Sequence, residues 1–528
     1  MTEAFFIFFK LPFEKSTYKV ISINNKIIKG KDINIPKAEY GIVINLWDHL
    51  SNLDRNYDLP CEIFDLNVAR KILEGKPKAS FQKNNEPWAG IKILGKHFDD
   101  PNIFGKIKSI EDNKYATFID WEYDLPINWE VLLLEAMKKE YYNLIIHLRK
   151  ENLFDNFVNV EMCLLVNFIK ASGSGICINW NKLEKRCLEL ETLHYRSIKE
   201  LEIVHNYTVT GFRRIIYDDI KGYIKNLNGI TFNNKYIWDY IELYRNVEPF
   251  LEQLYNENHT QRDLSELLRI MVSISDRCKL QYDIFGTVSG RILITRPGIQ
   301  HIKRASRDIF EPNDGYKFIY ADYSQFEPGI LAFLCGDQNL KYAYTNGDLY
   351  ENLAKMISND CTRDIAKKMF LSYIYGMSVD NIKKNIVNKF DDTSGKSIEI
   401  FFNKFPKVLE WKKNIVDKCI KEKMVVGLTG YIRYSSDDEQ KNDIERWAPN
   451  HVIQSTAAGI FKNALVKYVN GTKHGRILVP MHDAILIEVE AEEYKQEKNL
   501  IYQCMKESFE TFSQGMACKI HYDNFCLE

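Results

Sequence analysis

The chain has almost no net charge. Its 71 basic and 72 acidic residues cancel, which excludes a global polyanion-binding field and confines any nucleic-acid surface to a local stripe. None of the 11 cysteines forms a C-x-x-C pair or a Cys/His cluster at zinc spacing. Zinc modules are thereby excluded, and the thiols read as reduced, mostly buried side chains of an intracellular protein. No Gly-rich loop ends in Lys-Ser/Thr, which excludes a P-loop enzyme. Long apolar runs are missing as well: the stretch at 4–9 is closed by Lys10 and is too brief for a signal-peptide core or a membrane span. These absences lead to the expectation of a cytoplasmic protein, bacterial or of a phage-infected host, with no membrane partner.

At 528 residues the chain is too long for one core, and its 45% apolar and 27% charged content is ordinary for a globular protein, so three or four domains are expected. Residues 1–155 read as a mixed α/β unit. Apolar runs at 4–9, 18–23 and 40–46 predict strands, Asn24-Asn25 a turn, and the patterns at 63–73 and 129–148 helices. That order suits a small nuclease-like sheet domain. A proofreading exonuclease, however, needs about four clustered carboxylates, beginning with Asp-x-Glu on the first strand. The 4–9 run carries no acid, and Asp120-Trp-Glu122 comes too late in the chain; it reads as a solvated turn. The unit is expected to be structural or a docking surface.

Residues 156–285 look mainly helical, with an amphipathic stretch at 160–169, a break at Gly173 and Gly175, a short strand at 176–178, and long helices at 182–204 and 236–257. Arg213, Arg214, Lys221 and Lys225 gather between those helices, as a solvated face or as the tip of an arm that grips a phosphate backbone.

The stretch that organises the chain begins at Lys317. Phe318 to Tyr323 reads as a buried strand with Asp322 near its end, followed by a helix over 326–334 that tolerates Pro328 only in its first turn. On a second helix, Arg363, Lys367, Leu371 and Tyr375 recur every fourth residue and share one face. Two cations so placed repel each other mildly unless an anion lies along them, and a triphosphate fits, with Arg as a fork and Lys as a point charge. Tyr375-Gly376 stops this helix. Near the C-terminus, residues 476–489 read as a β-hairpin with His482-Asp483 at its tip. Two carboxylates on adjacent strand ends suit two divalent ions about 3.5–4 Å apart. Nucleotidyl transfer onto a nucleic-acid end follows from these parts.

Taken together, Asp322-Tyr-Ser-Gln-Phe-Glu327 with Leu334-Cys-Gly-Asp337, Arg363-x3-Lys367-x7-Tyr375-Gly376, and His482-Asp483 resemble the palm and fingers motifs of the family A DNA polymerases, the bacterial DNA polymerase I group and its phage and mitochondrial relatives. Thr287-Val-Ser-Gly-Arg291 with Pro297-x2-Gln300, Gly430-Tyr-Ile-Arg433, and Glu445-Arg446 to Gln454 fall in the family's order, and Glu161 to Asn179 resembles the start of its thumb. The likeness covers residue 156 to the end. It implies an α/β multidomain chain with a right-hand polymerase fold: a degenerate 3′–5′ exonuclease-like domain at 1–155, thumb at 156–286, palm at 287–338 and 426–528, and fingers at 339–425.

The resemblance further implies a template-directed DNA polymerase without proofreading. Asp322, Asp483 and the backbone carbonyl of Tyr323 would hold two Mg²⁺ ions, with Mn²⁺ as the alternative. Arg363 and Lys367 would bind the triphosphate, with Lys367 also catalytic; Leu371, Tyr375 and Gln325 would line the nucleotide, and Glu327 would gate against a ribose 2′-OH. Arg291, Gln300, Arg433, Asn450 and Gln454 would touch primer–template DNA, with His482 at the primer end. A processivity partner would dock on residues 1–155. Four positions depart from the family pattern: Leu371 replaces an aromatic, Pro328-Gly329 replaces Leu-Arg, and Ala484 replaces an acid. A single-subunit RNA polymerase relative, disfavoured by Ser324-Gln325-x-Glu327, and a non-catalytic DNA-binding module remain as alternatives.

Overall fold

The computed structural model describes residues 3–10, 17–23, 26–30, 40–44, 46, 62–76, 90–112, 128–205, 238, 241, 245, 248–273, 275–358, 361–377, 379–380, 382 and 392–526. The Asn24-Asn25 turn, Asp120, Glu122 and the basic cluster at Arg213, Arg214, Lys221 and Lys225 lie outside the described residues.

The first unit is a five-stranded sheet built from β1 (Glu3–Lys10), β2 (Thr17–Ile23), β3 (Lys26–Gly30), β4 (Tyr40–Val43) and β5 (Glu62–Asp65), in the order β3-β2-β1-β4-β5. β1 pairs antiparallel with β2 and parallel with β4. Two expectations need correction. The first strand begins at Glu3, so it does carry an acid, whose carboxylate accepts a 3.4 Å bond from the Tyr141 hydroxyl. The helix expected from 63 starts instead at Leu66, as α1 (Leu66–Glu74). Asp65 explains the split, because its carboxylate caps α1 by accepting the Asn67 and Val68 N–H groups and also takes Leu46 N–H at 2.7 Å. A capping residue needs extended backbone, so the residues before it join the sheet. Phe5 and Phe64 then pack edge-on against Tyr141 of α2 (Trp129–Lys150). Gly75, at φ 53°, ends α1 where an added Cβ would lie 2.8 Å from the Ile432 carbonyl oxygen. This glycine lets the first unit dock closely on the remainder of the chain.

Two long helices follow, α3 (Trp180–His205) and α4 (Pro249–Val272). His194 meets Glu257 and Glu200 meets Gln253, so the two run antiparallel. α4 therefore extends well past the expected end at 257, and Pro249 sits in its first turn, where its missing N–H costs nothing.

The site rests on a four-stranded antiparallel sheet. Its strands are β6 (Tyr316–Tyr323), β7 (Gly475–Met481), β8 (Ala484–Glu490) and β9 (Ile520–Asp523), in the order β7-β8-β6-β9. Ile319, Ala321 and Tyr323 alternate into the core, which leaves Tyr320 and Asp322 on the open face. Tyr323 stacks on Phe326 at 4.2 Å, fixing the corner from β6 into α5 (Phe326–Cys335). Beyond it come α6 (Leu349–Ile357), α7 (Arg363–Ile374) and α8 (Pro406–Glu422). The segment at 445–450 lies inside a helix, α9 (Lys441–Gly471), which runs through Pro449. Among the described residues, no helix is long and apolar enough to cross a membrane.

Candidate active site

Asp322 and Asp483 are brought together by strand register. Asp322 pairs with Ala484 across β6 and β8, and Tyr323 N–H donates to the Asp483 carbonyl at 3.2 Å. His482 turns the hairpin in the left-handed region, at φ 59°, which presents Asp483 beside the end of β6. Both carboxylates are half-buried. Burial raises the Asp322 pKa to about 6, with Lys367 opposing and Asp523 adding to the shift. Asp483 is pushed up to about 7 by burial and then by Asp322 and Glu327, with Lys367 again opposing. Crowded acids with one nearby lysine lack cationic charge, and a divalent cation would supply it. The donor set fits such an ion.

Arg363, Lys367, Leu371 and Tyr375 fall along α7 and its C-cap as the spacing predicts, with the two cations exposed. Thr362 caps the helix through a 3.4 Å bond from Ile365 N–H. Gly376, at φ 94°, ends it against the backbone of Arg446 on α9. Arg363 is not free in this state: its Nε and Nη2 bond the Asp348 carboxylate at 3.1 and 2.8 Å.

Three of the expected residues form one knot. Arg291 Nη2 donates to Glu327 Oε1 at 2.5 Å, and the Tyr375 hydroxyl donates to Oε2 at 2.7 Å. Arg291, expected on DNA, and Tyr375, expected to line the nucleotide, thus share Glu327 as a partner. Gln325, expected to line the nucleotide, accepts Leu349 N–H on its side-chain oxygen at 2.9 Å, which anchors α6. Its φ of 53° comes from the tight strand-to-helix corner.

The expected DNA-contacting residues divide. Gln300 is used inside the fold: its amide nitrogen donates to the Pro480 and Ile292 carbonyls at 2.7 and 3.2 Å, and its oxygen accepts Ile294 N–H at 3.0 Å. The Arg433 guanidinium lies 3.9 Å over the Trp447 ring, and burial lowers its pKa to about 10. Asn450 and Gln454 sit one turn apart on α9, both half-buried, so they share a face. Asn450 Oδ1 is buried with no hydrogen-bond partner, the kind of group a ligand completes. Burial, together with Arg291 and His301, pulls the His482 imidazole down to about 4, so it is neutral at pH 7.

Sequence reasoning missed two groups. One is Asp348. The other is a buried ion pair, with Lys462 Nζ 2.9 and 2.7 Å from Glu161 Oε1 and Oε2, the first of which also accepts the Tyr431 hydroxyl. A lone lysine within an apolar helix reads as a surface residue, and its partner lies 301 positions away. The small and apolar neighbours of Lys462 at 456–461 were the only available signal.

The family model for DNA polymerase family A matches residues 225–523. DNA polymerase I of Caldicellulosiruptor bescii is 25% identical over 480 residues, covering 80% of this chain and 55% of its own length. DNA polymerase theta of Caenorhabditis elegans is 28% identical over 305 residues, covering 55% of this chain and 18% of its own. The chain thus spans about half, or less, of the length of these relatives. Among solved structures, the POL domain of Pol1 from M. smegmatis, in complex with DNA primer-template and dNTP, superposes with a TM-score of 0.73 at 17% identity, covering 98% of this chain and 94% of that one. The chain therefore has the right-hand polymerase fold.

Proposed function

The chain belongs to DNA polymerase family A, and from that premise we propose that it is a template-directed DNA polymerase, adding dNTPs to a primer 3′ end in the cytoplasm. The observation that carries the reading is the juxtaposition of Asp322 and Asp483 across β6 and β8, in the field of Lys367. The thumb is assigned to residues 156–286, the palm to 287–338 and 426–528, and the fingers to 339–425. Residues 1–155 are assigned as an exonuclease-like domain without proofreading activity, and as the place where a replisome partner docks.

In this reading Asp322, Asp483 and the Tyr323 carbonyl hold two Mg²⁺ ions. When bound, these ions supply charge neutralisation at the attacking and leaving oxygens of the transfer. Lys367 and Arg363 hold the polyphosphate from α7, and their charge counters what develops on the leaving group. Leu371 lies half-buried between them and Tyr375, as an apolar floor for the nucleotide. Glu327, with both oxygens engaged, cannot rotate away and so stands as a rigid wall against a ribose 2′-OH. Asn450, Gln454 and Arg291 face the primer–template minor groove, where acceptors common to all base pairs report on pair shape alone. His482, as a neutral imidazole, lies at the primer end.

The test is extension of an end-labelled primer on a DNA template with Mg²⁺, comparing dNTPs with NTPs, alongside Asp322→Ala and Asp483→Ala. Template-dependent extension with dNTPs, lost in both variants, is expected. Primer–template binding without extension by the unaltered chain would favour a non-catalytic binding module.

A further inference from the structure

We propose that Asp348 is a positioning residue that aims Arg363 at the triphosphate of the incoming nucleotide and ties that aim to the metal-binding strand. The inference rests on the polymerase reading given above.

Asp348 divides its two oxygens between two tasks. Oδ1 caps α6, accepting Tyr350 N–H at 2.9 Å and Glu351 N–H at 3.1 Å. Oδ2 accepts both Nε and Nη2 of Arg363, on the neighbouring helix α7. Two bonds to one oxygen fix the guanidinium plane while leaving Nη1 and the second N–H of Nη2 for another anion. The guanidinium also lies 5.2 Å over the Tyr350 ring, and its side chain stays 41% exposed. A long side chain is thereby held in one orientation without being closed off.

The turn carrying Asp348 is itself nailed to the sheet. Leu349 N–H donates to Gln325 Oε1 at 2.9 Å, and Lys519 Nζ donates to the Gly347 carbonyl. Gln325 stands three residues after Asp322, and Lys519 leads into β9, beside β6. A short path therefore runs from the metal-binding corner through Gln325 and the 347–349 turn to Asp348 and Arg363. Although burial opposes it, hydrogen bonds from Arg363 and from the Glu351 and Tyr350 N–H groups hold the Asp348 carboxyl below its ordinary value. It is charged across the working range. Aiming an arginine before the ligand arrives removes ordering that binding would otherwise have to supply.

Capping and aiming separate by substitution, because Asn and Ser also cap helices. Steady-state primer extension by the full chain is measured with Asp348→Asn, Asp348→Ser and Asp348→Ala, together with primer–template Kd and Tm. Loss of the charged partner is expected to raise KM for dNTP about tenfold in Asp348→Asn and Asp348→Ser, with kcat within about twofold and with Kd and Tm unchanged. Asp348→Ala should add a fall in Tm. In an Arg363→Ala background, Asp348→Asn should raise KM no further. An unchanged KM in Asp348→Asn, a KM rise that persists without Arg363, or a Tm loss equal to that of Asp348→Ala would each overturn the inference and leave Asp348 a helix cap. If the unaltered chain extends no primer, the polymerase reading fails and takes this inference with it; normal extension beside an unchanged Asp348→Asn overturns this inference alone.

Discussion

Glu327 and Tyr375 meet through a 2.7 Å hydrogen bond from the tyrosine hydroxyl to Oε2, while Arg291 occupies the other carboxylate oxygen. The bond joins the first turn of α5 to the C-cap of α7, so on the proposed reading the wall against a ribose 2′-OH would be shared between the assigned palm and fingers.

Tyr375→Phe removes the hydroxyl and leaves Oε2 without its partner on α7. A hydrogen bond to a charged group contributes about 1.5–3 kcal/mol, and part of that rigidity is lost from the wall. The ratio of kcat/KM for dNTP over NTP should fall about tenfold, and further in Glu327→Ala, where the wall itself is gone. Single-nucleotide incorporation kinetics with matched dNTP and NTP check both variants. Unchanged discrimination in Glu327→Ala would remove Glu327 from sugar selection.

The Lys462–Glu161 pair ties α9 to the π-helical segment Phe157–Met162. Both side chains are essentially inaccessible, at 1% and 0% exposure. Lys462→Met leaves a buried carboxylate whose remaining partner among the described residues is Tyr431, and breaking such a pair costs about 3–5 kcal/mol. Replacing both together, as Lys462→Met with Glu161→Leu, should recover most of the loss, since well-packed apolar replacements of buried ion pairs are often neutral. Denaturant unfolding of the two single variants and the double variant checks this. Equal losses in single and double variants would mean that the pair is not an isolated unit.

How much was legible follows from the range over which each signal acts. Asp322 and Asp483 stood out because strands and hairpins announce themselves within about ten residues, and a carboxylate at such a strand end is conspicuous. The four-residue spacing on α7 was legible for the same reason. Asp65 was not, since a run such as Ile63-Phe64 suits a strand or a helix equally until the capping residue chooses. The backbone bonds of Gln300 were not legible, because an amide can serve a base edge or a backbone and its Pro480 partner lies 180 residues away. Asp348 was invisible because an Asp before a helix is an ordinary cap; its second task depends on how α6 packs against α7.

His451 is buried on α9, with Nε2 3.2 Å from the Tyr431 carbonyl and Nδ1 without a partner. Burial lowers its pKa to about 4, against an ordinary value near 6.5. Between those values the unfolded chain binds a proton that the folded chain refuses, so stability falls as pH drops from about 6.5 to about 4 and levels off below. The loss from this one group is about 3 kcal/mol. His451→Gln can still donate toward Tyr431 but does not titrate, so it should flatten the slope over that window. Urea unfolding at pH 7, 5.5 and 4.5 measures it, and an equal slope in both proteins would assign the acid sensitivity elsewhere.

Asp322 and Asp483, near 6 and 7, have the opposite sign. Carboxylates raised in the folded state favour folding below their ordinary value near 4, and that contribution is lost as pH climbs through 6 and 7. Without a divalent ion, the site therefore strains the fold most at alkaline pH, where both acids are charged. A bound ion repays that repulsion only once the protons have left. Adding Mg²⁺ to ion-free protein should raise Tm more at pH 8 than at pH 5.5, and Asp322→Asn with Asp483→Asn should abolish the rise while increasing Tm in the absence of metal at pH 8. Thermal unfolding in EDTA and in excess Mg²⁺ at the two pH values decides it. A Mg²⁺-dependent rise that survives in the double variant would place the ion elsewhere on the chain.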